Sequence, residues 1–123
     1  LPVPKEDMKT LPTSNFRELL LWLLRRRKRF RVTGNSMQPL LQPGEEILID
    51  RHAYQNRVPQ IGDIVVATHP FRSGLTVVKR IALVMEDGSL FLKGDNFTES
   101  TDSRTFGTVN LKYILGKVTS RFE

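Results

Sequence analysis

From Phe30 to Phe122 the apolar residues fall into short runs, each closed by Gly, Pro, Asn or Asp. That rhythm restricts the chain to a mainly β fold, since runs this short between turn residues make strands rather than helices. Expected strands are Phe30–Thr33, Glu46–Asp50, Asp63–Thr68, Leu75–Met85, Ser89–Lys93 and Lys112–Phe122. Gln42-Pro43-Gly44 marks a turn and Asp87-Gly88 a tight hairpin. Residues 51–62 and 94–107 read as loops, and His69–Gly74 as a hairpin-like connection.

Only the N-terminal part departs from this rhythm. Pro2, Pro4 and Pro12 predict an extended or disordered lead-in over residues 1–14. Ser14 or Asn15 then caps a helix whose Phe16, Leu19, Leu20, Leu23 and Leu24 follow helical spacing, with Leu21 and Trp22 widening the apolar face. Arg25 to Arg29 would end that helix, where its dipole favours cations. The expected division is a lead-in and helix over 1–29 and one compact unit over 30–123.

The net charge is +6, but it is one local feature. Arg25, Arg26, Arg27, Lys28, Arg29 and Arg31 carry six of the 19 cations, and the other 13 balance the 13 acids. There is no Cys, which excludes disulfides, thiolate metal sites and cysteine nucleophiles. The apolar stretch Leu19–Leu24 is far short of the roughly 20 residues that span a bilayer. It lacks the small-residue cleavage site of a secretory leader. The expected location is cytoplasmic, with association to a membrane surface as the variant that the basic run suggests.

Three stretches carry chemistry. The first is Gly34-Asn35-Ser36-Met37-Gln38-Pro39. Taken alone it is an ordinary turn. A serine hydroxyl becomes a nucleophile only beside a base. His52 and His69 stand in polar surroundings that suit surface positions better than a Ser-His-Asp arrangement. Lys79 is the better base. The strand period of two puts Val77, Lys79, Ile81 and Leu83 on one face, so its ammonium is flanked by apolar neighbours. Burial lowers a lysine pKa and frees the amine to take a proton. The bland alternative is a lysine that snorkels to water from a sheet edge. Arg80 stays protonated and cannot serve.

The third stretch runs from Gly94 to Arg104 and holds Asp95, Asn96, Glu99, Ser100, Asp102 and Ser103. A loop this long and polar suits function, one of its hydroxyls orienting the base. It also suits self-bonding, with Asp102 against Arg104 and Asx turns at Asp95 and Asn96. Its oxygens do not follow the spacing of an EF-hand. No metal and no cofactor is expected.

Together these stretches resemble the boxes of type I signal peptidases, serine proteases with a Ser/Lys dyad. Gly34-Asn35-Ser36-Met37-Gln38-Pro39 is similar to the nucleophile box, Gly62-Asp63-Ile64-Val65 to a Gly-Asp-Ile-Val strand, and Val78-Lys79-Arg80-Ile81 to the lysine box. Gly94-Asp95-Asn96 and Ser100-Thr101-Asp102-Ser103-Arg104, with Gly107, are similar to the last box. The likeness runs in family order from about Phe30 to the end of the chain.

The resemblance implies the β catalytic core shared by signal peptidases and SOS repressors, here with one N-terminal α-helix. It implies Ser36 as nucleophile, Lys79 as general base and Ser100 as the hydroxyl that orients it. The Ser36 backbone N–H would serve the oxyanion hole, with Gly34 permissive, because it stands where some members carry a hydroxyl donor. Met37 and Pro39 would line the substrate site. Asp95, Asn96, Asp102 and Arg104 would support the structure. Phe97 replaces the usual cation after Gly-Asp-Asn, the short Leu-rich helix stands where membrane-bound members carry a spanning one, and only a hairpin fits between Lys79 and Gly94.

These departures resemble the short members that mature nickel superoxide dismutase. They imply a precursor protein as partner, from which a leader is cut to expose the nickel ligands. One rival is a self-cleaving repressor-type Ser/Lys peptidase, although residues 1–29 are short for a DNA-binding unit. Another is a binding module using Arg25–Arg31. Beside a Leu/Trp helix that run suits anionic lipid better than nucleic acid, and no nucleic-acid partner is expected.

Overall fold

The structure, a computed structural model, describes residues 11–34, 36–96 and 101–122. Its centre is a six-stranded antiparallel sheet in the order β1-β2-β6-β3-β4-β5. The strands are β1 (Lys28–Arg31), β2 (Glu46–Asp50), β3 (Ile64–Thr68), β4 (Thr76–Val84), β5 (Leu90–Lys93) and β6 (Ile114–Arg121). Helix α1 (Phe16–Leu23) precedes the sheet, and a one-turn helix α2 (Ser103–Phe106) interrupts the expected 94–107 loop. The mainly β expectation holds. The last strand starts at Ile114 because Leu111–Tyr113 form a 3-10 turn, capped by Asn110.

Alternation sorts the core onto the two faces of the sheet. Ile47, Ile49, Ile64, Val66, Val78 and Val118 form one cluster, closed by Val32, Met37 and Leu41. Val65, Ala67, Ile81, Leu90 and Leu92 form the other, closed by Phe106 and Val109. Val77 packs against this second cluster, so Val77 and Ile81 share a face as their parity predicts. The parity fails beyond Ile81. A register shift between Ile81 and Leu83 breaks the alternation against β5, and Leu83 is 48% exposed.

The basic run is not a helix end. Helix α1 stops at Leu23 with no cation in its last turn, and Lys28 already begins an edge strand. The reason is pairing across the sheet. Arg29 and Arg31 reach Glu46 on β2, and Arg27 bonds Glu18 (3.2 Å) and approaches Asp50 (3.5 Å). Half of the basic run, Arg27, Arg29 and Arg31, is thus spent on intramolecular ion pairs.

Eight residues make a helix too short to persist alone. Asn15 caps α1 through the Glu18 N–H (2.9 Å). Glu18 accepts bonds from Thr119 and from Ser120 Oγ (3.0 Å) on β6, and Trp22 meets Phe122 edge-on at 5.6 Å. These contacts dock the polar flank of the helix and leave its apolar face outward. Residues 11–14 do not form a free lead-in. Leu11 is buried, Thr13 bridges Arg121, and the Ser14 N–H donates to the Arg121 carbonyl (2.8 Å).

Candidate active site

Ser36 sits in the loop between β1 and β2, half-buried. Gly34 turns the chain into this loop at φ +75°, a left-handed conformation, and a Cβ there would meet nothing within 4 Å. The glycine is therefore required by the backbone angle and not by crowding. Met37, expected beside substrate, is instead 1% exposed in the core cluster, where it anchors the loop from below. Pro39 is exposed.

The loop is tied to the far end of the sheet. The Asn96 N–H donates to the Ser36 carbonyl at 2.8 Å. Asn96 follows Asp95, and Asp95 receives two bonds from Arg80, Nε to Oδ1 at 2.9 Å and Nη2 to Oδ2 at 3.0 Å. Arg80 also donates from Nη1 to the Gly62 carbonyl at 3.0 Å, and it is only 2% exposed. One buried guanidinium thus joins the Gly-Asp strand entry, the lysine strand and the Gly94–Asn96 loop. Sequence reasoning set Arg80 aside because it cannot be a base. Its neighbourhood in the lysine box was the available signal for a structural role.

Lys79 stands on the opposite face from Arg80, 3% exposed, paired in register with Val65 of β3. Burial lowers its pKa from 10.5 to about 8. The carboxylate of Asp102 works against the shift, and the Arg104 cation adds to it. Asp102 is fully buried. It caps α2, accepts from the Gly94 N–H (3.2 Å), and holds Arg104 through Nε (2.9 Å) and Nη2 (3.1 Å). Although burial alone would raise it, these bonds leave the Asp102 pKa below the ordinary carboxylate value.

Ser103 is a further residue that the sequence reading passed over. Its buried Oγ accepts the Leu92 N–H at 2.8 Å and seats α2 on β5. Ser100, the expected orienting hydroxyl, lies outside the described residues. The described residues thus hold a half-buried Ser36 in the loop between β1 and β2, a buried Lys79 on β4 whose pKa burial lowers to about 8, and an Asn96 N–H that ties the Gly94–Asn96 loop to Ser36. β5 covers β4 only from Arg80 onward, so the backbone of Thr76–Lys79 lies beyond its last pairing. Such an arrangement suits acyl transfer to a serine along an added peptide strand.

Comparison with known proteins places the chain in a family. A family model described as "Signal peptidase, peptidase S26" matches residues 19–84 and 83–123. Mitochondrial inner membrane protease subunit 2 of Danio rerio is 31% identical over an alignment of 110 positions that covers 72% of this chain and 60% of that protein. Mitochondrial inner membrane protease subunit 1 of Schizosaccharomyces pombe is 34% identical over an alignment of 109 positions that covers 73% of this chain and 69% of that protein. The probable signal peptidase I-1 of Synechocystis is 24% identical over an alignment of 161 positions, gaps included, that covers 96% of this chain and 82% of that protein. The chain thus spans about two thirds of the length of the two mitochondrial relatives. No helix among the described residues is long and apolar enough to cross a membrane.

Proposed function

Because this chain belongs to the signal peptidase family, we propose that it is a serine endopeptidase acting through Ser36 and Lys79. The observation that carries the reading is Lys79, buried on β4 with a pKa of about 8. The neutral amine takes the Ser36 Oγ proton as Oγ attacks the scissile carbonyl carbon. The Ser36 backbone N–H receives the oxyanion, without a side-chain donor at Gly34. The ammonium then protonates the leaving amine. Water, deprotonated by the same lysine, hydrolyses the acyl-serine and restores the dyad. Ser100 is assigned the task of holding the Lys79 amine, and Asp95, Asn96, Asp102 and Arg104 that of fixing the loops around it.

The substrate we propose is the precursor of nickel superoxide dismutase, cut after a short leader in the compartment where it is made. Supporting this is the compactness of the core. Between Lys79 and Gly94 the chain runs straight from β4 through Asp87-Gly88 into β5, with no inserted domain. Co-expression with that precursor, followed by mass analysis of its N-terminus, is the test. The expected result is a shortened product that Ser36→Ala does not give. An uncut precursor, with another leader peptide cleaved by the same preparation, removes the dismutase and keeps the protease. Self-cleavage of the purified chain, lost in Ser36→Ala, would favour a repressor-type peptidase instead.

The dyad also fixes the pH dependence. Only neutral Lys79 accepts a proton, so kcat/KM should rise about tenfold per pH unit below the lysine pKa. It should level off above about pH 8. Measuring cleavage of a leader peptide across this range checks it, and a flat profile would rule out the lysine as base.

A further inference from the structure

We propose that a cavity beside α1, separate from the dyad, binds the phosphate headgroup of an anionic phospholipid. The cavity holds about 640 Å³ between α1, the loop after β2, and β6. Four cations line it, Arg17, Arg27, Arg57 and Lys117, against two carboxylates, Asp50 and Asp63. Both carboxylates are already engaged. Asp50 faces Arg27 at 3.5 Å and accepts the His52 N–H at 2.9 Å. Asp63 accepts from Tyr54 Oη (2.9 Å) and the Gln60 N–H (3.2 Å), with Lys117 at 3.8 Å. Arg27 is shared with Glu18. Arg17 and Arg57 have no carboxylate partner among the described residues, so the cavity keeps two uncommitted guanidiniums, the group that matches phosphate oxygens best.

The helix that walls this cavity argues for lipid as the source of the phosphate. Phe16, Leu20, Leu23 and Leu24 are 80%, 44%, 72% and 60% exposed, with Leu19 beside them. They form one outward stripe, since the helix docks through Glu18 and Trp22 on its other side. Arg17 follows Phe16 by about 100° around the helix, which places it on the flank of that stripe. Arg25 and Arg26 stand exposed at the end of the helix, again without a carboxylate partner among the described residues. An apolar face rimmed by cations fits an anionic bilayer surface, with the helix lying in the interface and a headgroup held at its edge.

The cavity also has a fixed relation to the dyad. Asp50, Lys117, Val65 and Lys79 stand in one register row across β2, β6, β3 and β4, on one face of the sheet. Lys117 is two strands from Lys79, a separation of about 10 Å. A headgroup there would set the active site at a defined height above the lipid.

The test is co-sedimentation of the full chain with phosphatidylcholine vesicles, with and without phosphatidylglycerol, at low salt. Binding is expected only with phosphatidylglycerol. It should weaken at least about fivefold in Arg17→Ala/Arg57→Ala, more than in Arg25→Ala/Arg26→Ala, and weaken again in Leu23→Ser. Peptide cleavage in solution should stay unchanged in the first variant, which separates folding from binding. Binding indifferent to Arg17→Ala/Arg57→Ala, or equal on both vesicles, overturns the headgroup site. So does absence of vesicle binding. If inorganic phosphate then raises Tm in the wild-type chain and not in that variant, the cavity takes a soluble phosphate and the lipid assignment is wrong.

Discussion

Lys79→Met should abolish leader-peptide cleavage, by at least about 10³-fold, while raising the thermal midpoint at pH 7. Two opposed effects in one substitution follow from where the lysine sits. Removing the amine removes the only base proposed for Ser36. Removing it also relieves the cost of a buried cation, and Met fills a similar volume. The sign of the stability change follows from the proton balance. Burial lowers the folded-state pKa from 10.5 to about 8, so the unfolded chain binds more protons between those values and stability rises with pH there. The destabilisation is complete below about pH 8 and vanishes above the unfolded value. The gain from Met should therefore be largest at neutral and acidic pH and should fade toward pH 10.5. Ser36→Ala serves as the comparison, with equal loss of cleavage and no pH-dependent gain. Near-normal turnover in Lys79→Met would end the dyad assignment, and a lower midpoint at pH 7 would show that the lysine supports the fold.

The parts of this site that were legible in the sequence depend on local pattern. Ser36 stands out only through the resemblance of the stretch from Gly34 to Pro39 to a family box, since taken alone that stretch is an ordinary turn, whereas the face shared by Val77 and Ile81 around Lys79 follows from strand parity. What the sequence hid depends on partners far along the chain. Lys28 and Arg29 read as part of the cationic end of a helix because Glu46, 17 residues beyond Arg29, gives no sign of being its partner. Arg80 was judged on its proton and not on Asp95, to which it is bound across 15 residues. The apolar stripe on α1 follows from helical spacing, but periodicity cannot say which side of a helix docks. Here two β6 hydroxyls that bond Glu18 decide it. The bulge after Ile81 likewise comes from pairing with β5, since the sequence of β4 alternates without a break.

The Arg80–Asp95 pair is where the fold should be least tolerant. Arg80→Met is expected to cost about 3–5 kcal/mol, because it strands a carboxylate that took its charge balance from that guanidinium. Asp95 is 7% exposed at its side chain, too closed for water to replace two bonds, and the Gly62 carbonyl loses a donor as well. Asp95→Asn should cost a similar amount by leaving the cation buried. The double variant Arg80→Met/Asp95→Leu should recover part of the loss, since an apolar pair needs no compensating charge. Urea unfolding of the four proteins measures the coupling. Full additivity, or a loss below about 1 kcal/mol in Arg80→Met, would show that the pair is not the clamp described. The clamp also predicts a functional signature. Asp95 precedes the Asn96 N–H that holds the Ser36 carbonyl, so freeing it should loosen the nucleophile and not the base. Under conditions where Arg80→Met stays folded, kcat should fall while the pH midpoint remains near 8, because burial, Asp102 and Arg104 set the Lys79 pKa. A midpoint that moved with the substitution would instead make Arg80 part of the electrostatics of the base.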